Sequence, residues 1–207
     1  MELARTYRIE TERLIIRCYE PTDASPLHAA ILNSLDHLRP WLPWIQQEPK
    51  SPETRVELIR RFRGQFDLGL DYVFGIFDAT EKELIGGTGL HTRIGKNARE
   101  IGYWISKQHI GNGFATEAVS ALIKAGFLIE GLSRIEIRCV PENARSRHIP
   151  EKLGFRLEGI LKNNSGNEHG TTDTMVWSLS RRDYEHSPAH KIRLKAYDLT
   201  GRPIPIG

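Results

Sequence analysis

The chain has 207 residues, 39% of them hydrophobic and 27% charged, with a formal net charge of +3. That length suits one domain with a sizeable core, and that composition excludes a disordered or fibrous chain. The mild positive balance fits an anionic small ligand without demanding nucleic acid.

The N-terminal stretch has no signal-peptide h-region, and no apolar run approaches membrane-spanning length. The expectation is a cytoplasmic protein with no membrane partner. Cys18 and Cys139 stand far apart. They argue against a zinc site and a disulfide scaffold, and each reads as a small buried residue in a strand-like run. His91, His109 and His148 lack metal-ligand spacing, so no metal is expected.

Leu14 to Tyr19 reads as the first strand. Glu20 to Asp23 carries helix-start signals, and Ala24 to Leu38 follows as a helix with Leu27, Ala30, Ile31 and Leu35 on one face. Arg39-Pro40-Trp41-Leu42-Pro43-Trp44 breaks it. This stiff apolar loop is either a cap over the core or a wall of a ligand groove. Ser51 and Pro52 open a second helix as N-cap and first helical residue. Tyr72 to Phe77 is a strand, Asp78 to Glu83 a turn, and Leu84 to His91 a strand. The glycines Gly86, Gly87 and Gly89 within it imply a bulge or a close backbone neighbour.

After a turn at Gly95 to Asn97, Arg99 to Ile105 is the next strand. Gln108 to Gly113 is a polar turn, and a helix opens at Phe114. Gly131 caps that helix, and Arg134 to Val140 alternates as a strand. Ala144 to Leu153 is a helix stopped by Gly154, Phe155 to Ile160 a strand, Asn163 to Thr172 a polar loop, and Thr174 to Leu179 the last strand. The order β-α-α-β-β-β-α-β-α-β-β describes a mixed α/β fold. Residues 1–184 form the expected domain, and residues 185–207 an extension of uncertain structure.

The stretch from Ile101 to Glu130 is the centre of this pattern. A strand ends in a glycine turn that opens a helix. The first N–H groups of a helix lack intrahelical partners and sit at the positive end of its dipole. Glycines let phosphate oxygens reach them. The turn therefore suits the diphosphate of a nucleotide-like cofactor. Two rival phosphate motifs fail. Gly89 to Asn97 is one residue too long for a P-loop and has Asn97 in place of a metal-binding hydroxyl. A dinucleotide-binding glycine run would follow the first strand, which it does not.

Gln108-His109-Ile110-Gly111-Asn112-Gly113 fits Gln/Arg-x-x-Gly-x-Gly/Ala. With its strand–turn–helix setting, and a second helix opening at Asn143, the chain resembles the GNAT N-acetyltransferase superfamily. Glu100 to Ile105, Asn143 to Arg147, Pro150 to Phe155 with Glu158-Gly159, Trp41 to Trp44 and Asp173 to Leu179 resemble its RimJ/RimL branch. The resemblance covers about Thr11 to Tyr184.

It implies a GNAT fold: a mostly antiparallel central sheet, a splayed strand pair and flanking helices. It implies acetyl-CoA as acyl donor, bound by Trp104, Ile105, Gln108, His109, Gly111, Asn112, Gly113, Phe114, Ala115, Asn143, Ser146 and Arg147. Backbone N–H groups of a bulged strand near Trp104 and Ile105 would face the thioester. Asn143 would bond the pantetheine, or simply cap its helix. Arg147 and Lys152 would meet phosphates, or lie on a solvated face.

An amine attacking a thioester needs a base and help for the leaving thiolate. The implied catalytic residues are Glu100 as base, often acting through water, and Ser146 near the sulfur. Pro150 stands where many GNAT enzymes place a tyrosine acid, which puts weight on Ser146. Asn163-Asn164-Ser165 replaces a loop glutamate of some branch members, leaving Glu168 or Glu100 for the base. The implied acceptor is a protein N-terminal amine, such as that of a ribosomal protein. A small-molecule amine or a non-catalytic acyl-CoA-binding module are the alternatives. A monomer or homodimer is expected. Direct nucleic-acid binding by the Arg-rich second helix and the basic tail lacks interleaved aromatics and is not expected.

Overall fold

The computed structural model describes residues 5–167 and 170–206, without the side chains of residues 165–167. Its strands are β1 (Arg8–Glu10), β2 (Leu14–Cys18), β3 (Tyr72–Asp78), β4 (Leu84–His91), β5 (Ala98–Ile105), β6 (Arg134–Cys139), β7 (Arg156–Asn167), β8 (Gly170–Ser180), β9 (Lys195–Tyr197) and β10 (Pro203–Ile204). Its α-helices are α1 (Ala24–Leu32), α2 (Leu35–Leu38), α3 (Pro52–Asp67), α4 (Phe114–Leu128), α5 (Ala144–Lys152) and α6 (Arg181–Tyr184). All ten strands join one sheet in the order β10-β9-β1-β2-β3-β4-β5-β6-β8-β7.

The alternation of apolar residues explains the layering. On one face, Leu14, Ile16, Phe74, Ile76 and Ile101 pack with Val119, Leu122 and Ile123 of α4 and Ile149 of α5. On the other face, Ile15, Tyr19 and Phe77 pack with Leu27 and Ile31 of α1 and Ile59 of α3. Side chains of successive strand residues point to opposite faces, so helices on both sides are needed to cover the sheet. No helix among the described residues is long and apolar enough to cross a membrane.

Every neighbouring strand pair is antiparallel except β5 and β6. A parallel pair needs a crossover, and α4 supplies it. The β5–β6 pairing runs only from Ala98↔Arg134 to Glu100↔Glu136. Beyond it, β5 continues to Ile105 and β6 to Cys139 without pairing to each other, so the sheet opens as a wedge.

Three sequence expectations change. The helix expected over 24–38 divides into α1 and α2. Ser34 lies at the break, fully buried, where its hydroxyl donates to the Ala30 carbonyl (2.7 Å) and accepts from the Lys107 N–H (3.0 Å). The break thus ties the helix to the turn after β5. The polar loop expected over 163–172 is largely hairpin, with β7 reaching Asn167 and β8 starting at Gly170. Its residues 161–164 are exposed, so no burial pattern marks it as strand. The tail adds β9 to β1 through Arg8↔Tyr197 and Ile9↔Ala196. Both strands are three residues long, too short to show periodicity, and each is stabilised by a partner remote in sequence.

Both readings of the β4 glycines hold: the β3–β4 register shifts between Ile76↔Gly86 and Phe77↔Leu84, a bulge at Ile85, and Gly86 and Gly87 are sites of close approach. A Cβ on Gly86 would lie 2.2 Å from the Trp104 carbonyl oxygen, and one on Gly87 would lie 2.5 Å from the Trp104 indole nitrogen. Gly86→Ala is therefore expected to destabilise the fold by about 2–3 kcal/mol, the overpacking range, because backbone must move. Gly159→Ala, where an added Cβ meets nothing within 4 Å, is the control. Denaturant unfolding compares them; equal midpoints would refute the close approach.

Candidate active site

The wedge between β5 and β6 is the centre of the site. The Ser106 N–H donates to the Ile85 carbonyl at 2.9 Å. Alternate residues of an antiparallel strand face the same partner. Gly102 and Trp104 thus also turn their backbone groups to β4, while Tyr103 and Ile105 turn theirs into the wedge. The β4–β5 register runs without a shift from Gly86↔Ile105 to His91↔Glu100. This revises the expected strand geometry: β5 is not bulged there, and the open groups belong to Tyr103 and Ile105 rather than Trp104.

The Trp104 side chain instead faces the α1–α3 side, stacked edge-on against Trp44 at 6.2 Å. The Trp41–Trp44 loop caps the core, with Leu42 packed against it. It is followed by fully buried Ile45, and it leaves Trp44 exposed beside the wedge. Behind it, the buried Arg55 guanidinium donates to the Glu48 carboxylate and holds this segment to α3.

The glycine turn lies where β5 ends. Lys107–His109 form a 3-10 turn; Gly111 takes φ +82° and Gly113, the N-cap of α4, φ +77°. These left-handed conformations favour glycine, and they bring the first N–H groups of α4 to the surface. The Asn112 side chain donates to the His109 carbonyl at 3.2 Å and braces the turn. His109 is also a brace. Its Nδ1 contacts Ser106 Oγ at 2.7 Å and its Nε2 lies 3.2 Å from Glu83. Both ring nitrogens are engaged, so the anion-binding character of the turn rests on backbone groups. Phe114 and Ala115 pack partly into the core and fix the start of α4. Gln108 lies in the same turn, exposed.

Arg13 was not singled out in the sequence, yet it organises this corner. It donates to the Asn112 carbonyl (3.0 Å), pairs with Glu117 (2.6 Å) and lies over the Phe114 ring (4.7 Å). It comes from the β1–β2 connection, a hundred residues away, and no local signal marks it. Beside Gly113 a groove of about 410 Å³ is lined by Arg13, Lys152 and Lys191. The tail carries Lys191 there because Lys124 on α4 donates to the Ile192 carbonyl at 2.9 Å.

The N-terminus of α5 forms the far wall of the wedge. Asn143 caps it, its Oδ1 accepting from the Ser146 N–H at 3.1 Å. Arg147 is partly exposed and pairs with Glu151 at 3.3 Å. Ser146 meets Tyr103 of β5. The Tyr103 hydroxyl donates to the Ser146 carbonyl (3.0 Å) and lies 3.1 Å from its Oγ. Burial pushes the Tyr103 phenol well above its ordinary range, outweighing the bond to Ser146, so it remains protonated. Cys139, at the end of β6, is a buried free thiol that burial also pushes up.

Glu100 sits where the wedge closes. It is buried, and both its oxygens accept from Arg93, at 2.9 and 2.5 Å, with Arg138 at 3.6 Å. Glu136, opposite in register, holds Arg134 and Arg138. A carboxylate has about four lone-pair sites, and Arg93 uses two, leaving room for a water. Glu168 lies outside the described residues. His37 on α2 is a further arrival, hydrogen-bonded to the Ile105 backbone; burial holds its imidazole below the usual range. No group of three or more His, Cys, Asp or Glu suited to a metal occurs among the described residues.

A parallel strand pair that opens over a glycine turn at a helix N-terminus is the strand-and-turn arrangement that the GNAT resemblance implied. Residues 13–156 match the family model for an acetyltransferase (GNAT) domain, and the chain belongs to that family. It is 34% identical over 172 residues to the uncharacterized N-acetyltransferase YoaA of Bacillus subtilis (strain 168), covering 83% of this chain and 95% of that one. It is 31% identical over 160 residues to the ribosomal protein uS5-alanine N-acetyltransferase of Escherichia coli (strain K12), covering 75% and 81%. These likenesses are of the RimJ/RimL kind. The fold also matches Mycobacterium smegmatis RimJ in complex with CoA-disulfide, with TM-score 0.76, 24% identity, and coverage of 91% and 92%. The protein is thus an N-acetyltransferase, as the motifs implied.

Proposed function

We propose that this enzyme moves an acetyl group from acetyl-CoA to a primary amine, with a protein N-terminus, such as that of a ribosomal protein, as acceptor. The observation that carries this reading is the wedge itself. It exposes the backbone groups of Tyr103 and the Ile105 N–H, sets the Ser146 hydroxyl across from them, and ends at the anion-suited turn. An extended pantetheine arm can pair with those strand groups as a missing β-strand would. The diphosphate then reaches the N–H groups after Gly111 and Gly113. Arg13, Lys152 and Lys191 line the groove beyond. The relative from Mycobacterium smegmatis holds CoA-disulfide, which supports the donor class. The Escherichia coli relative, by its name, acts on the alanine of a ribosomal protein, which supports the acceptor class.

Acetyl-CoA supplies an activated acyl group, so the protein has to position, deprotonate and stabilise. In the transfer one C–N bond forms and one C–S bond breaks; one proton leaves nitrogen and one reaches sulfur. The Tyr103 N–H meets the carbonyl oxygen in this reading as charge develops. The Glu100 carboxylate, held by Arg93, receives the amine proton through an intervening water. The Ser146 hydroxyl donates to the leaving sulfur. The acceptor enters on the α1–α3 side, past Trp44 and Trp104.

Thiol release from acetyl-CoA over a panel of N-terminal peptides and small amines tests the reading. Turnover on a peptide is expected. Tight CoA binding with no turnover on any acceptor would replace it with a non-catalytic binding module. Glu100→Gln is expected to lower kcat by about 100-fold, with KM for acetyl-CoA nearly unchanged. A loss of melting temperature with normal kcat would reduce Glu100 to a strut for β5 and β6.

A further inference from the structure

α5 contains a proline, Pro150, inside the helix. In an α-helix the N–H of residue 150 would bond the carbonyl of residue 146. Proline has no N–H, so the Ser146 carbonyl is left without its helical partner. An unpaired buried carbonyl costs free energy, and such groups recruit another donor. The donor here is the Tyr103 hydroxyl, 3.0 Å away on β5.

The tyrosine has one proton, and the Ser146 carbonyl takes it. The 3.1 Å contact between Tyr103 Oη and Ser146 Oγ is then donated by the serine. Ser146 is consequently held at three points: its N–H by Asn143, its carbonyl by Tyr103, and its hydroxyl proton by the phenol oxygen. The two Tyr103 contacts span the wedge, from the strand that would bind the donor arm to the helix that carries the hydroxyl. The phenol's retained proton keeps this polarity fixed.

We infer that Tyr103 is the positioning residue for Ser146, and that Pro150 makes this possible by freeing the carbonyl that Tyr103 grips. The tyrosine fixes the place of the serine in the wedge through the Ser146 carbonyl and transfers no proton. In the transfer the serine hydroxyl turns from the phenol oxygen to the leaving sulfur and regains its proton from water. Ser146 alone donates to the leaving sulfur. The inference rests on the acetyltransferase reading above, in which Ser146 assists departure of the thiolate.

The test is a set of variants assayed for kcat and for acetyl-CoA KM: Tyr103→Phe, Ser146→Ala, their double variant, Pro150→Ala, and Tyr103→Phe with Pro150→Ala. Phenylalanine keeps the ring that packs on the core. Tyr103→Phe is expected to lower kcat by about tenfold with KM within about twofold. The double variant with Ser146→Ala should be no slower than Ser146→Ala alone, because the tyrosine acts through the serine. Pro150→Ala restores an N–H for the Ser146 carbonyl and should recover most of the rate lost in Tyr103→Phe. Wild-type kcat in folded Tyr103→Phe would overturn the inference, as would losses that multiply in the double variant. Wild-type kcat in Ser146→Ala would instead refute the role of Ser146 in the proposed function, and this inference with it.

Discussion

Gly111→Val is expected to weaken acetyl-CoA binding by at least about 100-fold while leaving the protein folded. The φ of +82° at Gly111 is one that a β-branched residue rarely adopts. A non-glycine residue there costs about 1–2 kcal/mol, so the turn relaxes toward another conformation. The N–H groups that would meet the diphosphate then point elsewhere. The rest of the fold does not depend on this residue, since an added Cβ meets nothing within 4 Å. Gly113→Val should act alike, with some loss of helix stability added, because Gly113 is the N-cap of α4 at φ +77°. Calorimetric titration with acetyl-CoA measures the effect, and a melting curve confirms folding. Unchanged affinity in a folded variant would remove the turn from cofactor binding.

Ser146→Ala is expected to lower kcat by about 100-fold with little change in KM for acetyl-CoA, the pattern of a contact made mainly in the transition state. The variant should keep its structure. Asn143 holds the Ser146 N–H and Tyr103 holds the Ser146 carbonyl, and both bonds use backbone that alanine retains. A raised KM at normal kcat would make Ser146 a binding residue only. Steady-state kinetics with a reactive peptide acceptor separates the two outcomes.

Much of the local geometry of the candidate site was legible because its parts lie close in sequence. β5, the turn and α4 form one uninterrupted stretch, and strand–glycine–helix order dictates exposed N–H groups whatever surrounds it. The Asn143 cap and the Ser146 position follow from local helix-start chemistry in the same way. What could not be read are the residues that arrive from elsewhere. Arg13 reaches Asn112 and Glu117 across about a hundred residues, His37 reaches Ile105 from α2, and Lys191 reaches the groove through the tail. Trp104 lies on the expected strand, and its backbone groups face β4. Which backbone groups face the wedge depends on the pairing phase with β4, and the Ser106–Ile85 bond sets that phase.

Glu100 shows the same division. Its position at the start of a strand is a sequence property, but its clamping by Arg93 and Arg138 is a consequence of strand pairing. Pro150 shows it more sharply. In the sequence it is only the absence of a tyrosine; in the fold it leaves a helix carbonyl that Tyr103 of β5 takes up.

The sequence by itself determined the mixed α/β class, the core faces of the long elements, the anion-suited turn and the family. Each rests on periodicity or local backbone chemistry, which neighbours in sequence establish. Only the tertiary structure decided where β5 and β6 part, which backbone groups the wedge exposes, what holds Ser146, and that the tail joins the sheet at β1. Those are contacts between residues remote along the chain, and their geometry is set by strand register and packing, which no local pattern encodes.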